Sequence, residues 1–199
     1  MSNQAQQLTM NNADVIFYPH FLTSNEASTL FTTLEHDVAW QQSEIEMFGK
    51  TIQLPRLTAW YGDEGNTYSY SGVSHTPLAW IPPLATLKIQ VEAIAKVNFN
   101  SVLLNLYRDG KDSVGWHSDD EPELGTNPVI ASISLGGERE FQFRHKDNPE
   151  ERHSLVLTSG SLLLMQGATQ HHWKHRIPKT KKEIAPRINM TFRIIYSDS

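Results

Sequence analysis

The chain has 199 residues, of which 39% are hydrophobic and 20% charged, enough for one domain with a core of its own. It contains no cysteine, which excludes disulfides, zinc–thiolate centres, iron–sulfur clusters and cysteine nucleophiles. No apolar run approaches the ~20 residues of a membrane span, and a net charge of -5 gives no global attraction for nucleic acid, so such a partner would need a local basic face.

The opening "MSNQAQQLTMNN" is polar, has no basic-then-apolar leader, and reads as a flexible tail over 1–12 ahead of a single domain over 13–199. "VIFYPHFL" reads as a short strand and its exit. Thr23 and Glu26 have capping-box spacing in front of Ala27, Leu30, Phe31 and Leu34, a stripe that predicts an amphipathic helix of about three turns. A strand-and-turn region follows in "EIEMFGK", "LPRLTAWYGDEG" and "TYSYSG". Pro82 and Pro83 then open a second helix, with Leu84, Leu87, Val91 and Ile94 as its buried stripe.

From Asn98 onward the pattern is one of strands. "SVLLNLYRDG" alternates and ends on a turn. "VIASISLGGEREFQFRH" has the pattern of a hairpin with Gly136-Gly137 at its tip. "HSLVLTSGSLLLMQG" is two short strands around Ser159-Gly160, and "RINMTFRIIY" is the last. Helices followed by many short antiparallel strands predict an α+β fold whose strands form a sandwich or squashed barrel.

The last strand carries the first chemical signal. In "RINMTFR", Ile188, Met190 and Phe192 alternate with Arg187, Asn189, Thr191 and Arg193, so one face is core and the other is all donors. A wet outer face is the plain structural reading. Yet no acid lies in the strand to pair with its two arginines, and guanidinium groups suit a small dianion because each binds a carboxylate bidentately. In "LLNLYRDG", Asn105 and Tyr107 share the face opposite Leu104 and Leu106 and can offer an amide and a phenol to the same ligand.

"VGWHSDDEPELG" carries the second signal. His117 and Asp119 are two apart and project the same way in an extended chain, so they can take adjacent positions on one metal ion. A distant histidine would complete a 2-His-1-carboxylate triad, which leaves positions open as non-haem iron(II) chemistry requires. H-x-D is weak alone, and a second copy, His145-Lys146-Asp147, reads as a solvated loop at a strand end. The remaining ligand has to come from "QHHWKHRIP", where spacing does not choose among His171, His172 and His175. Trp116 reads as packing beside the metal ligands.

The stretches "NLYRDGKDSVGWHSDDE", "WKHRIP" and "APRINMTFR", preceded by "FGK", "PRLTAWYGD" and "TYSYSG", resemble the AlkB family of iron(II)- and 2-oxoglutarate-dependent dioxygenases. The likeness runs in family order over roughly residues 40 to 195, and the ordered set with R-x-N-x-T-x-R is far more specific than H-x-D. The resemblance implies His117, Asp119 and His175 as iron ligands, with Asn105, Tyr107, Arg187, Thr191 and Arg193 as 2-oxoglutarate contacts. It implies Asp120 as the acid that meets the exocyclic amine of a flipped base, and Tyr68 and Tyr70, helped by Glu121, as walls of the base pocket. Phe48, with Met47, Gly49 and Lys50, is similar to a finger that fills the gap left by an extruded base. Arg56 would touch the nucleic-acid backbone or the opposite strand.

The implied fold is a double-stranded β-helix (jelly-roll) core over about 98–196, with N-terminal helices and a nucleotide-recognition lid over about 40–75. The implied reaction is oxidative dealkylation of N-alkylated bases in DNA, of the 1-methyladenine and 3-methylcytosine type. Dioxygen and 2-oxoglutarate are its cosubstrates, and formaldehyde, succinate and carbon dioxide are released. The alternative is the same oxidation on RNA or on a substrate that is not nucleic acid. Single- or double-stranded alkylated DNA, or RNA, is the expected partner, with no membrane partner, a monomeric state and a cytoplasmic location. Lys174, Arg176, Lys179, Lys181, Lys182 and Arg187, opposed by Glu183 alone between 174 and 187, are candidate phosphate contacts, with Arg108, Lys111, Arg144 and Lys146 beside them.

Overall fold

The computed structural model of the chain describes residues 5–47, 49–65, 68–70 and 73–196. Phe48 lies outside the described residues, as do the side chains of Met47, Lys50, Tyr68 and Tyr70. The N-terminal half runs β1 (Gln6–Gln7), β2 (Asp14–Tyr18), α1 (Ser24–Asp37), β3 (Glu44–Met47), β4 (Lys50–Gln53), β5 (Leu57–Gly62), β6 (Tyr68–Tyr70), β7 (Val73–His75) and α2 (Pro82–Ala95). It is followed by β8 (Ser101–Tyr107), β9 (Val114–His117), β10 (Ile130–Gly136), β11 (Arg139–His145), β12 (Arg152–Leu157) and β13 (Ser161–Gln166). A single helical turn, α3 (Thr169–His172), then leads into β14 (Trp173–Ile177) and β15 (Arg187–Arg193).

Two antiparallel sheets face each other, one in the order β1-β2-β13-β10-β15-β8-β5 and the other β12-β11-β14-β9. The larger sheet is covered on its outer side by the two helices, because alternation splits its residues between two cores. Leu104, Ile133, Ile188, Met190 and Phe192 pack against Leu34 of α1 and Leu84, Leu87 and Val91 of α2. Between the sheets, Tyr107, Ile130, Leu163 and Met165 meet Phe141, Phe143, Leu157, Trp173 and Ile177. The α+β jelly-roll expected from the sequence is the architecture found. Helix α1 starts where the spacing predicts, with the Thr23 side chain accepting from Glu26 N and the Glu26 carboxylate accepting from Thr23 N, the reciprocal capping box. No helix among the described residues is long and apolar enough to cross a membrane.

Two expectations are corrected. The stretch 5–12 is not a loose tail. Gln6 and Gln7 pair with Phe17 and Ile16, and the Asn11 carbonyl accepts a 2.8 Å bond from the buried Trp173 indole. A polar segment stays docked here because its backbone extends a sheet edge. Nor do β10 and β11 form a hairpin. β10 pairs with β13 and β15, and β11 with β12 and β14, so Gly136-Gly137 is the corner where the chain changes sheets. A Cβ at Gly137 would strike the Ala185 carbonyl, and Gly136 sits at φ 81°, so glycine is required by close approach and conformation rather than by a two-residue turn.

Candidate active site

The donor face of β15 is not a wet outer face. Because Ile188, Met190 and Phe192 point to the helices, Arg187, Asn189, Thr191 and Arg193 point between the sheets and line a cavity together with Asn105 and Tyr107 of β8. His117 and Asp119, His175 of β14, and Arg56 complete its polar wall, while Leu103, Val114, Phe141, Met165 and Ile177 supply an apolar lining.

Strand pairing builds the cluster of His117, Asp119 and His175. His117 and His175 are direct partners across β9 and β14, with ring centroids 4.3 Å apart. The register shifts between His175 and Ile177, so Val114 and His117, three apart, both face the cavity. Each of the three residues offers one ligand atom, and these atoms lie within 4.8 Å of one another. His117 Nδ1 is 2.9 Å from the Gly115 carbonyl, which can only accept, so Nδ1 carries the proton and Nε2 is left as a donor to a metal. Asp119 Oδ1 takes a 2.6 Å bond from Arg193, while Oδ2 lies 3.7 Å from His175 Nε2.

The protonation states suit a divalent cation. Burial works against the Asp119 charge, but Arg193 and the two imidazoles outweigh it and hold the carboxyl down at about 2. Burial, with His117 and Arg193 nearby, pushes His175 down to about 3 against the pull of Asp119. At neutral pH the pair is therefore a carboxylate and a neutral imidazole, the forms that bind metal.

Sequence reasoning missed the residues that brace this cluster. Gln170 is fully buried and accepts a 3.0 Å bond from the Asp119 backbone N–H, while Ser118 Oγ donates to the Trp173 carbonyl. Ser134 accepts from Arg187 Nη2 at 2.9 Å and Ser132 from Asn189 Nδ2 at 2.7 Å. Their signal was present in "IASISLG", where small hydroxyls alternate with apolar side chains.

Arg187 is buried to 1% exposure, and among the described residues its Nε and Nη1 have no hydrogen-bond partner; Arg193 Nε is in the same state. Burial lowers the Arg187 pKa to about 10, with Tyr107 supporting the charge and Arg139 opposing it, so it remains a cation at neutral pH. Buried guanidinium groups with unmade bonds, facing a cavity, fit a dianion. A His-Asp-His set that leaves coordination positions open fits iron(II).

Of the remaining expected site residues, Arg56 is placed differently. Arg56 turns inward, donating from Nε to Asn105 Oδ1 at 2.7 Å and from Nη1 to the Ser113 carbonyl at 3.1 Å, rather than outward to a backbone or opposite strand. Its neighbour β5 lies on the edge of the larger sheet beside β8, which brings its guanidinium within reach of Asn105. Asp120 is exposed and paired with Lys146 at 2.8 Å, and Glu121 leads into the short turn Pro122–Leu124, its carbonyl accepting from Leu124 N at 2.9 Å. Gly49 takes a left-handed φ of 70° between β3 and β4. His171 is exposed, and His172 stacks on His145. Trp116 packs on the outer face of the sheet, not beside the ligands.

The second H-x-D is not a solvated loop. Asp147 is exposed, but His145 is buried against Trp173, and its Nδ1 accepts 3.2 Å bonds from the Asp147 and Asn148 N–H groups. A ring nitrogen occupied in this way is structural. His145→Ala is expected to leave iron(II) binding intact while lowering stability by about 1–3 kcal/mol, the cost of stranding buried donors. Metal titration and thermal melting of the same variant check both halves.

The 2OG-Fe(II) oxygenase superfamily model matches residues 14–193. This chain belongs to the AlkB family of 2OG-Fe(II) oxygenases. It is 46% identical over 192 residues to the alpha-ketoglutarate-dependent dioxygenase alkB homolog 3 of Mus musculus, covering 92% of this chain and 67% of that protein. It is 43% identical over 180 residues to the DNA oxidative demethylase ALKBH2 of Homo sapiens, covering 85% and 69%. The structure of OsALKBH1 superposes with a TM-score of 0.64 at 15% identity, covering 96% of this chain and all of that one, which speaks for the fold alone. This AlkB-family protein is an iron(II)- and 2-oxoglutarate-dependent dioxygenase.

Proposed function

We propose that this dioxygenase removes N-alkyl groups from bases in DNA, with 1-methyladenine and 3-methylcytosine as the lesion type. The observation that carries the substrate class is the likeness to proteins named DNA oxidative demethylases, at 43% identity over most of the chain. Iron(II), dioxygen and 2-oxoglutarate together supply the oxidation, in which the keto acid ends as succinate and carbon dioxide and the N-methyl group is hydroxylated.

In this reading His117 Nε2, one Asp119 oxygen and His175 Nε2 hold the metal. Arg193 keeps Asp119 Oδ1 engaged, so the carboxylate presents Oδ2 alone. Arg193 lies beside the metal ligands and takes the keto-acid end of 2-oxoglutarate, and Arg187 takes the far carboxylate through Nε and Nη1, which have no partner among the described residues. Asn105, Tyr107 and Thr191 orient the cosubstrate, with Arg56 holding Asn105 Oδ1 so that the Asn105 amide N–H faces it. The apolar lining keeps water away from the reacting centre.

A methyl group on the pairing edge is out of reach inside a duplex, so the base is flipped or the substrate is single-stranded, at a cost of a few kcal/mol that is least for a lesion unable to pair. The lid over about 40–75 serves that step. Met47, Phe48, Gly49 and Lys50 fill the gap, and Tyr68 and Tyr70 wall the base. Asp120 favours a cationic alkylated base over a neutral one, and Glu121 contributes to the base pocket. The hydroxymethylated base then releases formaldehyde.

The test is anaerobic loading with iron(II) and 2-oxoglutarate, followed by air and a 3-methylcytosine oligonucleotide. Formaldehyde and succinate are expected in equal amounts. Turnover on RNA with none on single- or double-stranded DNA would move the substrate to RNA, and succinate without formaldehyde on either would remove nucleobases altogether.

A further inference from the structure

Behind the metal ligands, the outer face of the smaller sheet carries a cluster that the reaction does not use. β9 is the edge strand of that sheet, and the neighbours of its ligands alternate to the other side. Trp116 precedes His117, and Lys174 and Arg176 flank His175. The guanidinium carbons of Arg144 on β11 and Arg176 on β14 lie 4.6 and 4.4 Å from the centre of the Trp116 ring. Lys174 stands directly across from Arg144 in the register.

Cations placed side by side on neighbouring strands repel one another, and a chain of formal charge -5 has acids in excess with which to neutralise them. Among the described residues, however, no carboxylate pairs with Arg144 or Arg176. Arg176 Nε donates to the neutral Gln142 amide at 2.8 Å, and Glu140 is the acid on this face of β11. The indole instead gives two long, flexible side chains one flat surface, which lowers the ordering cost when they meet a ligand. A guanidinium held by its face keeps its N–H edges for planar, bidentate contact with an anion. With the ring engaged by arginines, the cluster suits phosphates rather than stacked bases.

We propose that Arg144 and Arg176, ordered by Trp116, bind backbone phosphates of the substrate strand where it runs on past the target nucleotide, around the β9 edge. The inference rests on the nucleic-acid reading above. β9 links the two places, since its inner face presents His117 to the cavity and its outer face presents Trp116 to this cluster.

The test is anisotropy titration of a methylated single-stranded oligonucleotide by the protein loaded anaerobically with iron(II) and 2-oxoglutarate, across a salt series. The double variant Arg144→Gln with Arg176→Gln is expected to bind about tenfold more weakly. Its slope of log affinity against log salt is expected to flatten by about 1.4, the loss of two phosphate contacts on a single strand. Trp116→Leu keeps both charges, so it is expected to weaken binding while the slope stays as in the wild type. Wild-type affinity and slope in the double variant would overturn the phosphate site, and wild-type affinity in Trp116→Leu would overturn the ordering role. A wild-type protein that binds neither DNA nor RNA would instead overturn the nucleic-acid reading itself. Thermal melting of each variant keeps loss of fold apart from loss of binding.

Discussion

Asp119→Ala is expected to abolish turnover and to weaken iron(II) binding by more than about 100-fold, beyond the 10–100-fold typical of changes behind the ligands. Two effects combine. The substitution removes the one anionic ligand of the cluster, leaving two imidazoles to hold a dication. It also strands Arg193, whose Nη2 makes its 2.6 Å bond to Asp119 Oδ1 and whose Nε already lacks a partner among the described residues. Leaving such a cation beside His117 and His175 repels the incoming metal. Breaking a buried ion pair by removing one side costs about 3–5 kcal/mol, so the alanine variant could fail through instability alone. Asp119→Asn separates the causes, because an amide oxygen still accepts from Arg193 and the volume is kept. Expected for the asparagine variant are a melting temperature close to wild type, no measurable iron at concentrations that saturate the wild type, and no succinate. Iron binding at wild-type strength in Asp119→Asn would sink the assignment of this cluster as the metal centre.

How much of this was legible beforehand depended on whether the signal was local. The capping box at Thr23 and Glu26 is contained within four residues and needs no tertiary knowledge, so α1 was readable to its first turn. The alternation in "RINMTFR" stated which side chains share a face. What it could not state was where that face points, because that follows from the helices packing on Ile188, Met190 and Phe192. Gly136-Gly137 misled for the same reason. Two alternating runs joined by glycines look alike whether the strands pair or part, and the decision lies with β13, β14 and β15, far along the chain. Gln170 and Arg56 were unreadable as bracing residues, since each acts on a partner 51 and 49 positions away. His145 and His117 share a motif, and only burial and the two backbone N–H groups on Nδ1 tell the structural histidine from the other.

Arg187→Met is expected to move stability and cosubstrate affinity in opposite directions. In the protein without 2-oxoglutarate, Arg187 is a fully buried cation whose Nη2 bonds Ser134, with the Tyr107 ring 5.1 Å from its guanidinium carbon and two nitrogens, Nε and Nη1, unsatisfied among the described residues. Its pKa, driven down to about 10 by burial, reports that the fold works against this charge while failing to neutralise it at pH 7. A methionine of similar length removes the desolvated charge and keeps most of the packing. Replacing buried ionic groups by apolar ones of like volume commonly stabilises by about 1–4 kcal/mol, and for a chain of this size each kcal/mol raises the melting temperature by about 2–4 °C. The cosubstrate-free variant should therefore melt several degrees higher than wild type. Adding 2-oxoglutarate should reverse the order, because ligand stabilisation scales with affinity and the variant has lost the partner of one carboxylate. Truncating one side of a buried charge pair costs about 2–5 kcal/mol, or roughly 30-fold to several thousand-fold in affinity. The KM for 2-oxoglutarate should rise steeply, with part of the rate recovered at high cosubstrate. Calorimetry with and without 2-oxoglutarate, beside succinate release over a cosubstrate series, reads all three effects. A variant less stable than wild type without cosubstrate, yet equal to it in 2-oxoglutarate affinity, would make Arg187 a structural residue and leave the far carboxylate to another group.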